Sequence, residues 1–374
     1  MRKLFRRLII HSIDTFFFLS ASLGFFKKNT PPDPSSIKKL LLCQGAHLGD
    51  VVVATSILSL IKKRMPHVQI GFLIGSWSKP LIEGHPLITH VHCVDHWMQN
   101  RSSLPLWKKL LHYRRQRKQV LQEIRSYDAA IDLHPFLHNS IFLLYQAKIP
   151  LRIGHTRVGF GQLLTHPQPW KNKPQKIVDY HLELLRCLHI FPDKTTPLHP
   201  NLPSLVPSFL PKDYTIFHLG GSEELKEWPL ENWEQLLIDF LRKKRTIVFT
   251  GHGKRQQELI SQLKHPEVID LCNRINLQEL MALIKNAQLL ISVDSLPVHI
   301  ASAYQIPTVI LFTGRDPLEH WSPHNPHSIS LVHKTPCAPC FKKNGCATMN
   351  CIRKIPVEQV IKSTEQLLTR SPNR

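Results

Sequence analysis

Residues 286–321, NAQLLISVDSLPVHIASAYQIPTVILFTGRDPLEHW, decide how this chain is read. The apolar run Leu289, Leu290, Ile291 and Val293 has the length of a strand and passes directly into the polar pair Asp294-Ser295. Pro297 suits the first turn of a helix that carries His299, with Ser295 as its candidate N-cap. A second apolar run, Thr308 to Phe312, ends at Gly314-Arg315-Asp316-Pro317. Strand, turn, helix and strand make a βαβ unit, which implies a parallel sheet. The turn also has chemical meaning. The first N–H groups of a helix have no partner within it and lie at the positive end of its dipole, so they favour an anion such as phosphate. An ordinary capped helix explains the same residues, and this stretch alone leaves both readings open.

The alternation extends in both directions. Lys39 to Cys43 reads as a strand, Val51 to Lys63 as a helix, and Gln69 to Ile74 and Val91 to Val94 as strands. A long basic helix, Leu106 to Arg125, precedes a strand at Ala129 to Leu133. Between Pro192 and Pro211 lie six prolines with no periodicity, the composition of a linker. Strands then return at Thr215 to Leu219, Thr246 to Thr250 and Val268 to Asp270, with helices at Trp233 to Lys243, Arg255 to Leu263 and Leu277 to Lys285. The expected organisation is therefore α/β. An N-terminal segment (1–36) precedes a doubly wound domain (37–191), a proline-rich linker (192–213) and a second doubly wound domain (214–374). A chain of 374 residues is long enough for two cores.

Lysine and arginine total 48 against 27 acidic residues, a formal net charge of +21, so the expected partners are anionic: nucleic acid, a membrane surface or an acidic substrate. Eight cysteines are too few for a disulfide scaffold, and a reducing compartment is the default. Residues 1–28 set an apolar stretch between Arg2, Lys3, Arg6 and Arg7 on one side and Lys27 and Lys28 on the other. No small-residue cleavage pattern marks a signal peptide, and Asp14 would cost about 3 kcal/mol at a bilayer centre. The expectation is a helix lying in the membrane interface on Phe16, Phe17, Leu23 and Phe26, with packing onto the protein itself as the alternative.

Three further motifs carry chemistry. The first strand ends in Gln44-Gly45-Ala46-His47-Leu48-Gly49-Asp50 at a helix entrance, where Asp50 serves as a helix cap or as a base. The second domain opens with Phe217-His218-Leu219-Gly220-Gly221 and then Lys226-Glu227-Trp228-Pro229. Thr250-Gly251-His252-Gly253 closes another strand, with Glu258 in the helix that follows.

Together with Asp294-Ser295-x-Pro297-x-His299, in this order, these motifs resemble the ADP-heptose lipopolysaccharide heptosyltransferases, glycosyltransferase family 9. The resemblance spans roughly Lys38 to Ile361, including the P-L-I-E-G-H-P-L-I stretch at 80–88. It implies the GT-B architecture, two Rossmann-like domains facing across a cleft, and an inverting transfer that requires no metal or cofactor. Asp50 occupies the place of the family's general base, beside Gly49. Lys226, in the family's K-x-W-P, is the expected contact to the donor phosphates. Asp294, Ser295, Leu296 and His299 match the turn that holds the diphosphate, and Gly220, Gly251 and Glu258 complete the expected donor site. Leu296 is a departure, since the family has glycine there. Six cations on the long helix, Lys108, Lys109, Arg114, Arg115, Arg117 and Lys118, fall on the family's acceptor side with His134. Taken alone, such a run is a solvated helix face.

The implied donor is ADP-heptose. The implied acceptor is the Kdo or heptose of the lipopolysaccharide inner core on lipid A, met at the cytoplasmic face of the inner membrane beside anionic lipid. Alternatives are another GT-B nucleotide-sugar transferase, an epimerase, or a catalytically silent protein binding anionic lipid or nucleic acid. No zinc-finger, helix-turn-helix or RNA-recognition signature supports nucleic acid. Cys337, Cys340, Cys346 and Cys351 fall within fifteen residues, and structural packing, a zinc staple and a redox pair all remain open for them.

Overall fold

The computed structural model describes residues 33–100, 102–135, 139–156, 160–171, 173–193, 196–203, 213–221, 223–263, 265–342 and 345–370. The expected interfacial helix at 1–28 and the centre of the proline-rich linker lie outside the described residues. The chain forms two compact units. One runs through Lys173 and includes Ile177–Leu198; the other comprises Pro174–Lys176 and the chain from His199 onward.

The first unit is built on six strands, β1 (Lys39–Gln44), β2 (Gln69–Ile74), β3 (His90–Cys93), β4 (Ala129–Asp132), β5 (Leu151–His155) and β6 (His166–Gln168). All neighbours pair in parallel, in the order β3-β2-β1-β4-β5-β6. The second unit repeats the plan with β7 (Tyr214–His218), β8 (Thr246–Thr250), β9 (Val268–Asp270), β10 (Leu289–Val293), β11 (Thr308–Leu311) and β12 (Ser328–Leu331). Its parallel order, β12-β11-β10-β7-β8-β9, is the same 3-2-1-4-5-6 winding read from the other edge. The winding reverses between β1 and β4 in one unit and between β7 and β10 in the other. The carboxyl ends of those pairs are where such a sheet leaves a crevice.

Central strands show why the sheets are parallel. Leu40, Leu41 and Leu42 in β1 and all five residues of β10 are buried, so both faces are covered, and a continuous apolar run replaces alternation. Each buried leucine contributes about 1.5–3 kcal/mol.

The structure corrects the sequence reading in places. The helix expected unbroken from Val51 to Lys63 is Leu48–Ala54 and Leu58–Arg64, joined by a 3-10 turn at Thr55–Ile57. There the Thr55 hydroxyl donates to the Val52 carbonyl (2.6 Å) and competes with the helical ladder. The basic helix ends at Glu123. Strands β5, β6 and β12, with the helices Ile141–Gln146, Ile177–Leu185 and Val357–Arg370, were not anticipated. Arg152 interrupts the apolar run of β5, yet it is buried with its guanidinium donating to the Leu163 carbonyl (2.7 Å) and that of Ile149. Strand β6 contains Pro167 and is tolerated because it lies at the sheet edge.

The helix Leu106–Glu123 is tied down at its middle and C-terminal end. Buried Asp95 accepts from the Ser76 N–H (2.7 Å) and lies 3.1 Å from His112 Nε2, while its own N–H donates to Gln116 Oε1 (2.7 Å). Val120 enters the core. His92 contacts Glu123 Oε2 through Nδ1 (2.8 Å) and the Tyr127 hydroxyl through Nε2 (2.9 Å). Gly71 makes room for that tyrosine: a Cβ there would fall 1.9 Å from the hydroxyl oxygen. Gly71→Ala is expected to lower unfolding stability by about 1–3 kcal/mol through overpacking. An unchanged denaturation midpoint would show that the ring swings aside freely.

Candidate functional site

In the second unit the switch point gathers most of the expected donor residues. β7 ends at buried His218, whose ring is pushed down to about 4 by burial and so stays neutral; its Nδ1 lies 2.9 Å from Thr250 Oγ1 at the end of β8. Gly220 and Gly251 then lie against one buried side chain, Gln256. A Cβ on Gly220 would come 3.0 Å from Gln256 Cγ, and one on Gly251 would come 2.6 Å from its Oε1. Gln256 donates to the Gly221 carbonyl (3.3 Å) and accepts from the His252 N–H (3.3 Å), stapling the two glycine turns together. No sequence motif singled it out.

The K-E-W-P turn explains how Lys226 is presented. Trp228 is buried edge-to-face against Trp233, and its indole N–H donates to the Ile355 carbonyl (3.0 Å). Glu227 is gripped at both oxygens by Arg255, each contact 2.7 Å. Between these anchors Lys226 reaches across to β10, where its ammonium donates to the Asp294 carboxylate (2.7 Å) and backbone carbonyl (3.0 Å). Gly221 lies beside the pair, its Cβ position 3.7 Å from both Lys226 Cδ and Ser295 Cβ. The β7 and β10 ends thus meet at a held lysine. Lys226 also lines a small cavity with Thr313, Gly314, Arg315 and four cysteines. Arg315, which sequence reasoning had not assigned, pairs there with Glu223 and with Asp316 (3.1 Å).

Other donor expectations fare differently. Ser295 is at the N-cap of Leu296–Ala303 with extended backbone, but its hydroxyl makes no cap bond. It donates instead to the Val293 carbonyl (3.1 Å) and lies 3.3 Å from Ser292 Oγ. The cap reading is therefore corrected for the side chain: the strand end, not the helix, takes the hydroxyl. Leu296 is half-buried and is not among the residues lining the cavity beside Lys226. His299 is buried edge-to-face against Trp321. Glu258 does not join this group; it is exposed on the helix Lys254–Gln262 and pairs loosely with Lys254 (3.8 Å), because the buried face of that helix is given to Gln256 and Ile260.

In the first unit the corresponding switch point holds Gly49 and Asp50 after β1 and His134 after β4. Asp50 is half-buried in the first helical turn, and its Oδ2 accepts the His47 N–H (3.2 Å), so it does perform the capping task. Buried His134 donates its N–H to Asp132 Oδ1 (2.9 Å). Asp132, which sequence reasoning passed over, is buried beside Cys43 in register, accepts a second N–H from Ser140, and has its carboxyl pushed up to about 7 by burial.

The six cations of the basic helix separate. Arg117 is turned inward to Gln146 and the Phe142 ring, and Lys109 donates to the Asn100 carbonyl (2.9 Å). Lys108, Arg114, Arg115 and Lys118 are exposed. All four clustered cysteines are free thiols: Cys337 is exposed, Cys340 and Cys346 intermediate and Cys351 buried. Among the described residues no group of three or more His, Cys, Asp or Glu side chains is placed to hold a metal ion.

Asp132 gives a pH dependence whose sign follows from linkage. An unfolded aspartate ionises near 3.8, whereas the folded site keeps its proton to about 7. The folded state binds that proton more tightly, so stability is lost as pH rises through this window and levels off above it. Wild-type stability relative to Asp132→Asn should therefore fall between about pH 4 and about pH 7 in thermal unfolding, and parallel pH curves for the two proteins would refute it.

The family model "Glycosyltransferase family 9 (heptosyltransferase)" matches residues 114–349. Lipopolysaccharide heptosyltransferase 1 of Pseudomonas aeruginosa is 22% identical over 340 residues, covering 82% of this chain and 86% of that protein. The solved family 9 glycosyl transferase from Veillonella parvula superposes with a TM-score of 0.73 at 23% identity, covering 92% of this chain and all of that one. The ADP-heptose lipopolysaccharide heptosyltransferase II of E. coli does so with a TM-score of 0.70 at 18% identity, covering 90% of this chain and 100% of that one. The fold is GT-B. With a family model matched over well more than half its length, the chain belongs to glycosyltransferase family 9 and is an enzyme, a glycosyltransferase.

Proposed function

We propose that this enzyme moves a heptose from ADP-heptose to the Kdo or heptose of the lipopolysaccharide inner core, with inversion and without a cofactor, at the cytoplasmic face of the inner membrane. One observation carries the reading: the β7 loop delivers Lys226 to the end of β10, at the switch point, where a nucleotide diphosphate belongs in such a sheet. The names of the relatives supply the sugar and the acceptor class.

In this mechanism Asp50 accepts the proton of the acceptor hydroxyl as its oxygen attacks the anomeric carbon. The bond from that carbon to the β-phosphate oxygen breaks on the opposite face, and ADP departs with the electron pair. Lys226 offsets the charge gathering on the leaving diphosphate, and Arg315 lines the same cavity as a second cation. The carboxylates now paired with these cations, Asp294 and Glu223, hold them in place until phosphate oxygens replace them. His134 meets the anionic acceptor.

Asp50→Ala should reduce turnover by about 10²–10⁴-fold while ADP affinity, measured by calorimetry, stays within about twofold. Normal turnover in that variant removes Asp50 from the chemistry. Lys226→Ala should weaken ADP binding by about 10–100-fold, the worth of a charged hydrogen bond. Unaltered ADP binding would place the diphosphate elsewhere. Mass analysis of the product from ADP-heptose and truncated lipopolysaccharide tests the reaction itself: no mass gain on the acceptor sinks the donor and acceptor assignment.

A further inference from the structure

The basic helix carries a feature that its cations alone do not explain. Of the ten large apolar side chains exposed among the described residues, six lie between Met98 and Leu111. Leu106, Trp107, Leu110 and Leu111 occupy the first turns of the helix Leu106–Glu123, and Trp107 is 59% exposed. Residues four apart share a helix face. One row therefore runs Leu106, Leu110, Arg114, Lys118, and the row beside it runs Trp107, Leu111, Arg115. Each begins apolar and ends cationic. Lys108 lies over the Trp107 ring (5.3 Å), and no acidic residue occurs from 96 to 122. Further along, the helix is held in its unit through Gln116, Val120 and the Asp95 contacts. Beside this packing, Leu106, Trp107, Leu110 and Leu111 stay 38–59% exposed.

Exposed leucines and a tryptophan grouped at one end are costly in water, and soluble surfaces seldom carry such a patch without a partner. We infer that the first turns of this helix are a docking surface for an anionic lipid bilayer. Leu106, Trp107, Leu110 and Leu111 enter the boundary between headgroups and acyl chains, while Arg114, Arg115 and Lys118 meet the headgroups. Charge complementarity selects the occupant. A run free of carboxylates, in a chain of net charge +21, fits an anionic surface, and repels a second copy of itself. Among the described residues no helix is long and apolar enough to cross a membrane. The purpose of the docking surface rests on the lipid-borne acceptor proposed above, whereas its test reads lipid contact alone.

Tryptophan emission provides that test in the full chain, because none of the seven tryptophans lies in residues 1–36. Vesicles of phosphatidylethanolamine and phosphatidylglycerol with brominated acyl chains should quench the emission, and added salt should reverse it. Trp107→Phe keeps the surface apolar and should still bind, yet lose most of the quenchable emission. The triple variant Leu106→Ser, Leu110→Ser, Leu111→Ser should weaken co-sedimentation with these vesicles by more than about tenfold. It should retain turnover on a lipid-free core acceptor. Absent quenching, equal quenching by purely zwitterionic vesicles, or quenching unaltered in Trp107→Phe overturns the inference. So does a lipid-free dimer that the triple variant abolishes, since the patch would then serve a second copy. Failure of transfer to any lipopolysaccharide acceptor, with quenching intact, counts against the acceptor assignment instead.

Discussion

A parallel strand cannot be joined to its neighbour by a tight turn; the chain must cross over one face of the sheet before it re-enters. Everything functional here depends on that constraint. In each unit the crossovers leave the first strand in one direction and approach the fourth from the other, so the loops after those strands diverge. The side chains that follow β7 and β10 are consequently free of the sheet and close to each other. Lys226 and Asp294, separated by 68 residues, close that gap with a 2.7 Å contact. The pair is half-buried, which keeps the ammonium defined in position without removing it from reach of a ligand.

How much of this could be read from the residues depended on range. Most central strands were legible because burial on both faces turns them into short apolar runs, as at Leu40 to Leu42 and Leu289 to Val293, whereas Arg152 hid the internal strand β5. The edge strands β6 and β12 were not legible, since one side of each is unpaired and polar residues are tolerated there. The K-x-W-P turn was legible as a pattern, and its logic emerged only from Trp228 and Arg255, whose partners lie 127 and 28 residues away. Gln256 left no local signal, while Asp132 and Arg315 were legible only as parts of a strand and a loop. A glutamine that staples two glycine turns is indistinguishable in sequence from one facing water. Glu258 shows the converse, a residue in suitable sequence range whose helix face points it outward.

Under the proposed mechanism, capping and catalysis are compatible accounts of the Asp50 carboxylate. An acid at the third helical position accepts the N–H that opens the turn, and that contact fixes its rotamer. A base must be held within hydrogen-bond reach of the proton it removes, and a freely rotating aspartate would not be. The cap supplies the restraint. Asp132 lies in β4, the strand beside β1, and there burial dominates and favours the proton.

The net charge of +21 divides along the same lines. Some cations are internal fittings: Arg152 satisfies backbone carbonyls, Arg117 packs on Phe142, and Arg255 clamps Glu227. Arg255 is matched by a carboxylate, whereas Arg152 and Arg117 are held by neutral partners. Lys226 and Arg315 are matched beside a cavity, where in the proposed mechanism phosphate oxygens replace their carboxylate partners. What remains unmatched on the helix Leu106–Glu123 stands in two rows behind an apolar tip. Water would accept the cations of that helix without difficulty. It would not favour Trp107 and three leucines beside them, and a bilayer surface is the environment that accommodates both.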